Sequence, residues 1–189
     1  MKFRLISMIA VALAAILSPI AASPLNAQSS GYLQCVPYAR QLSGIQIYGD
    51  ARTWWGQAEG RYQRGSMPAA GAVMVFKPYR NMRLGHVAYV SEIIDSRTVM
   101  LSHSNWSTIN CRRGQIERNV PAIDVSPNND WSKVRVWYQA IQAPGGTHWP
   151  LEGFIYASNA ADPAPAPKIA TRREASPAFT QAFAGFLND

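Results

Sequence analysis

Ala72-Val73-Met74-Val75-Phe76, His86-Val87-Ala88-Tyr89-Val90-Ser91-Glu92-Ile93-Ile94 and Thr98-Val99-Met100-Leu101-Ser102-His103 are short runs rich in β-branched and apolar residues, parted by Gly, Pro, Asn and Asp. Such runs read as strands. Val134 to Ala140 and Gly153 to Ala157 read the same way. Upstream the pattern changes. Val36 to Leu42 reads as a helix, because Pro37 is tolerated in a first turn and Gly44 is placed to stop it. A second helical stretch is expected over Ala51 to Glu59, followed by a loop through Gly65, Pro68 and Gly71. Helices first and strands after predict an α+β domain with a mostly antiparallel sheet rather than a βαβ arrangement.

The ends of the chain differ in kind from this middle. Met1 to Ala27 has a basic start at Lys2 and Arg4, an apolar run from Leu5 to Leu17, a break at Pro19 and a small residue at Ala27. Those are the parts of a signal peptide. The run falls short of the roughly 20 apolar residues that cross a bilayer, so cleavage before Gln28 and a secreted or periplasmic product are expected. Residues 28–158 form the expected folded domain. Residues 159–177 contain Asp162-Pro163-Ala164-Pro165-Ala166-Pro167 and read as an extended linker. In the last stretch, residues 178–189, Ala178 to Leu187 is expected to form a short amphipathic helix with Phe179, Phe183 and Phe186 on one side.

Hydrophobic residues make up 48 % of the 189 and charged residues 15 %, which excludes a disordered polyampholyte. The net charge of +7 is scattered rather than gathered into a stripe, so nucleic acid is not expected as a partner, while an anionic surface such as a cell wall is compatible.

The chemistry rests on Cys35 and His86. A thiol in the first turn of a helix feels the partial positive charge of unpaired amides, which favours thiolate. His86 opens a strand after Arg83-Leu84-Gly85, where a loop meets the sheet. A Cys and a His within hydrogen-bond reach suffice for acyl transfer. The plainer alternatives are a Cys35 that is a small buried hydrophobe on a stripe with Ala39 and Leu42, and a His86 that is structural. Export would also permit a Cys35–Cys111 disulfide. His148 reads as an exposed loop residue. No CxxC or HExxH spacing is present, so neither a metal site nor a cofactor is expected.

Gln34-Cys35-Val36-Pro37-Tyr38-Ala39-Arg40, Met67-Pro68-Ala69-Ala70-Gly71-Ala72-Val73-Met74-Val75-Phe76 and Gly85-His86-Val87-Ala88-Tyr89-Val90 together resemble the CHAP family of cysteine, histidine-dependent amidohydrolases and peptidases. The resemblance runs from about Tyr32 to Tyr156. It implies a papain-like α+β fold, a nucleophile at Cys35, a general base and acid at His86, and cleavage of peptidoglycan amide bonds by an N-acetylmuramoyl-L-alanine amidase or an endopeptidase. Many members carry an acid on the next strand with Asn two residues on. Leu101-Ser102-His103-Ser104-Asn105-Trp106 offers His103 in the place of that acid and keeps Asn105. Asn105 is therefore the favoured orienting group, since an amide oxygen can accept the imidazole N–H. His103 is either a substitute orienter or a cleft residue. Gln34 is a candidate oxyanion donor beside the Cys35 N–H. Of Trp54 and Trp55, one is expected in the core and the other along the substrate groove, and Trp106 either shields the catalytic pair or packs. A free Cys35 thiol is implied, leaving Cys111 unpaired. Peptidoglycan is the expected partner and a monomer the expected state. The rival is a cell-wall-binding module that keeps the fold without turnover.

Overall fold

The computed structural model describes residues 32–159. The expected signal peptide, the expected linker and the expected C-terminal helix lie outside the described residues. The helix α1 (Cys35–Ser43) begins one residue before the expected Val36 and ends at Gly44, whose φ of 75° lets its N–H reach back to Arg40 O. The expected second helix shrinks to a 3-10 turn, Ala51–Thr53, and the one-turn α2 (Trp54–Gln57). Gly56, Gly60 and the aromatic pair Trp54-Trp55 give this stretch weak helical propensity, so packing sets its length.

Eight strands follow: β1 (Tyr62–Gly65), β2 (Val73–Phe76), β3 (His86–Ile93), β4 (Thr98–Ser104), β5 (Ile116–Asp124), β6 (Lys133–Tyr138), β7 (Ala143–Pro144) and β8 (Trp149–Asn159). All pairings are antiparallel, and β8 pairs with both β2 and β6. The order β8-β2-β3-β4-β5-β6 thus returns to β8 and closes a six-stranded barrel. The expectation of helices packed on an antiparallel sheet therefore holds only in part: the described chain is mostly β, its sheet is closed, and its helices are few and short. Closure removes the open edges that a flat sheet would leave.

Alternation along β2 shows how two cores share this barrel. Met74 and Phe76 point into an interior cluster with Ala88, Val90, Leu101, Trp106, Val134 and Phe154. Val73 and Val75 point outward to a second cluster with Cys35, Ala39, Ile45, Ile47, Trp54 and Val87. β2 is buried along its whole length, which is why it reads as a continuous apolar run. The outer cluster pins α1 against β3 and β4.

β1 and β5 were not legible as strands. In β5 the run Ile116-Glu117-Arg118-Asn119-Val120-Pro121 breaks the apolar pattern. Pro121 is tolerated because pairing with β6 begins only at Ala122, so no partner on that side needs its missing N–H. Among the described residues no helix is long and apolar enough to cross a membrane.

Candidate active site

Cys35 opens α1 with no side-chain cap before it, Gln34 being extended at φ −83° and ψ 153°. The chain leading to it is anchored by Leu33 N–H donating to Gly114 O at 3.2 Å and Ser104 Oγ donating to Leu33 O at 3.1 Å. Burial raises the Cys35 thiol above its ordinary range, while the backbone N–H groups of Val87, Val36 and Cys35 itself pull it down. The Val87 contact is the informative one, because it sets the sulfur beside the first peptide of β3, where His86 stands.

His86 is held there by a tight turn. Gly85 has φ 70°, and a Cβ on it would lie 2.9 Å from Phe76 O and 3.0 Å from Arg52 N, so only glycine fits. Arg52 N–H donates to Leu84 O at 2.8 Å and locks the same turn to the helical layer. The register Phe76↔His86 then turns the imidazole to the interior side of β3. There it meets Phe76 edge-on at 5.5 Å and Trp106 at 4.9 Å between centroids.

His103 is the second imidazole. Its Nδ1 lies 3.1 Å from His86 Nε2, and its ring stacks on Trp106 at 28°. Burial, then His103, then the Arg113 charge hold the His86 pKa well below the usual imidazole range. Burial alone takes His103 down to about 3. Both rings are therefore neutral near pH 7. With Nε2 committed to His103, the free nitrogen of His86 is Nδ1.

The ring contact to His86 is made by His103, while Asn105 contacts Gln34. Asn105 adopts φ 60°, a left-handed conformation that Asn accepts more readily than most residues. Its Nδ2 donates to Gln34 Oε1 at 2.8 Å, which leaves the Gln34 amide nitrogen free to point elsewhere. Gln34, Cys35, His86, Asn105 and Trp106 line one cleft of ≈ 890 Å³. That is room for a peptide-sized ligand.

Trp54 and Trp55 are not in this cleft. Trp54 is fully buried in the outer core, and Trp55 packs against that core with its ring close to Gly153 and the Arg64 guanidinium 4.9 Å above it. The one-turn α2 directs both away from the site. The aromatic lining comes instead from Trp106, Tyr138 and Trp149. Tyr138 and Trp149, like Arg113, were missed: they come from distant strands and a loop, and no local pattern marks them. Arg113 donates to Trp106 O at 2.7 Å, beside the imidazoles. Cys35 and Cys111 are both free thiols, buried and exposed respectively, and His148 is exposed in a loop. Among the described residues no group of three or more His, Cys, Asp or Glu is placed to hold a metal.

This arrangement brings a thiol and a neutral imidazole to one cleft, with amide donors nearby. Residues 26–105 match the family model of the CHAP domain. No curated protein matches the chain.

Proposed function

With a CHAP domain in the chain, we propose that the protein is an exported cysteine hydrolase that cleaves peptidoglycan amide bonds through an acyl-enzyme at Cys35. The domain points to hydrolases of amide bonds in the cell wall, and the observation that carries the finer reading is the Cys35 thiol against the Val87 amide with His86 next in the chain. The arrangement suits a compact variant of the papain-like plan, with the nucleophile on a helix end and the base on the sheet behind it.

In the first half-reaction His86 Nδ1 takes the Cys35 proton as the sulfur attacks the amide carbonyl carbon. The developing oxyanion is met by amide donors, for which the Cys35 N–H and the Gln34 side chain are the candidates, Gln34 Oε1 being held by Asn105. Collapse breaks the C–N bond, and His86 returns the proton to the leaving amine. A water then attacks the thioester, giving its proton to His86. The C–S bond breaks, and the thiol recovers that proton. Because His86 and Cys35 both start neutral, His86 is a general base acting on a thiol rather than half of a standing ion pair.

The cleft also carries Arg83 and Arg113 against a single acid, Asp50, which is itself paired with Arg52 at 3.3 Å. This balance favours a ligand bearing carboxylates, as peptidoglycan stem peptides do. Digestion of purified peptidoglycan by the protein and by Cys35→Ala, with fragment masses, tests the reading. Fragments from the unsubstituted protein alone are expected, and their masses separate amidase from endopeptidase. Equal release by both proteins, or none by either, would overturn it.

A further inference from the structure

His103 occupies the position of the acid that the catalytic imidazole would ordinarily lean on, and this raises the question of where the counter-charge has gone. If His86 Nδ1 serves Cys35, its Nε2 carries a proton both before and after Nδ1 takes one from the thiol. That proton is donated to His103 Nδ1 at 3.1 Å. His103 must then hold its own proton on Nε2. Yet His103 Nε2 is buried without a hydrogen-bond partner, and a buried N–H with nothing to donate to is costly. The chain of donors needs an acceptor on the far side of His103.

We infer that Glu117 of β5 is that acceptor, the positioning residue behind the His86–His103 pair, making the site a Cys–His–His–Glu series. Glu117 stands opposite His103 in the β4–β5 register, and opposed residues of an antiparallel pair have neighbouring side chains. A bulge produces this pairing. Leu101 opposes Val120 while His103 opposes Glu117, so β5 spends one residue more than β4 between the two pairs. Asn119, at φ 51°, absorbs the extra residue. Without the bulge the simple alternation from Val120 would set Arg118 opposite His103. Bulges beside active sites re-aim side chains in this manner.

Glu117 is only 6 % exposed, against 1 % for His103. Its oxygens already accept from Ser107 N–H at 2.8 Å and Ser107 Oγ–H at 2.7 Å. Ser107 Oγ in turn accepts from Gln139 N–H at 2.9 Å. These bonds fix the carboxylate while leaving lone pairs for a third donor. Among the described residues the other buried acid is Asp124, at the opposite end of β5, where it is engaged with Arg97 and Ser126. The titratable and charged groups that line the cleft with His86 are Cys35, Asp50, Arg83, Arg113 and Tyr138. None of them lies behind His103 on β5. The carboxylate thus offsets the charge that develops on His86 when it takes the thiol proton, with the neutral His103 as spacer.

This inference rests on Cys35 and His86 being nucleophile and base, and its test needs no substrate. In a Cys111→Ser background, iodoacetamide labelling of Cys35 is followed by mass across pH for the wild type, Glu117→Gln and Ser107→Ala. Losing the charge weakens the base, so Glu117→Gln is expected to slow labelling about tenfold near neutrality, where the thiol is deprotonated through His86. Ser107→Ala removes the Oγ–H hydrogen bond to Glu117 but keeps the backbone one and the carboxylate, and its profile should stay in place whatever its melting temperature does. Adding His103→Glu to Glu117→Gln moves the carboxylate one strand over and should restore most of the rate. A Glu117→Gln profile that superimposes on the wild type overturns the inference, as does a Ser107→Ala profile shifted equally. Should Glu117→Gln fail to fold, the double substitution decides: labelling near the wild-type rate upholds the role, and labelling as slow as in His103→Ala overturns it. A shifted Glu117→Gln profile in a protein that releases nothing from peptidoglycan would leave this role standing and sink the proposed reaction.

Discussion

Cys35 and His86 reach the cleft from two different cores. The thiol belongs to the outer cluster, where α1 packs against β3 and β4, and its position depends on a local helix start and three backbone N–H groups. The imidazole belongs to the barrel interior, where Phe76, His103 and Trp106 from three separate segments surround it. One half of the site is thus built by short-range structure and the other by strand register. Damage to the first should leave a folded barrel with a silent nucleophile, whereas damage to the second should disturb packing and chemistry together.

The largest effect should come from removing the proposed base. His86→Ala is expected to lower amide hydrolysis by at least about 10³-fold, as loss of a general base does in comparable Cys and Ser enzymes. Steady-state kinetics on peptidoglycan fragments would show it. The next contrast separates the two candidate orienting residues. His103 touches His86 while Asn105 touches Gln34, so His103→Ala should cost about 10- to 100-fold in kcat and Asn105→Ala less, about tenfold, through a loosened Gln34 amide. The reverse ranking would return the orienting role to Asn105.

Two further predictions concern stability. At Gly85→Ala the new Cβ meets the Phe76 carbonyl at 2.9 Å in a backbone held at φ 70°. A loss of about 1–3 kcal/mol is expected in urea unfolding. The second is the response to acid. Both imidazoles have folded pKa values below the unfolded value, His103 at about 3. Between about pH 6.5 and pH 3 the unfolded chain binds protons that the native protein refuses, so stability falls as pH falls, by up to about 1.4 kcal/mol per unit for each imidazole. Thermal melting across that window should show the decline, and the His103→Ala protein should show a shallower one.

The two halves were also unequally legible in the sequence. The Cys35 helix and its Gly44 stop follow from local rules, and the strand that His86 opens follows from its own apolar run. The contacts of Asn105, His103 and Glu117 do not, because they depend on which residue of one strand faces which residue of another. β5 hid behind Glu117, Arg118, Asn119 and Pro121, whose polarity and bulge erase the period-two signal in the one strand that places an acid behind His103. Of the adjacent pair, one was expected in the core, where Trp54 lies, but the other, Trp55, is laid by α2 against β8 instead of along the groove, for the same reason in reverse. Barrel closure depends on β8 pairing with both β2 and β6, and no local run records that double engagement.

The proposed covalent intermediate at Cys35 can be observed directly. Brief mixing of the protein with peptidoglycan fragments, an acid quench, and mass analysis of the proteolytic peptide that carries Cys35 would report it. A fragment-sized adduct on that peptide, absent from the otherwise intact Cys35→Ala protein, is the predicted result. Hydrolysis that proceeds equally in Cys35→Ala, or an adduct found only on the exposed Cys111, would contradict it.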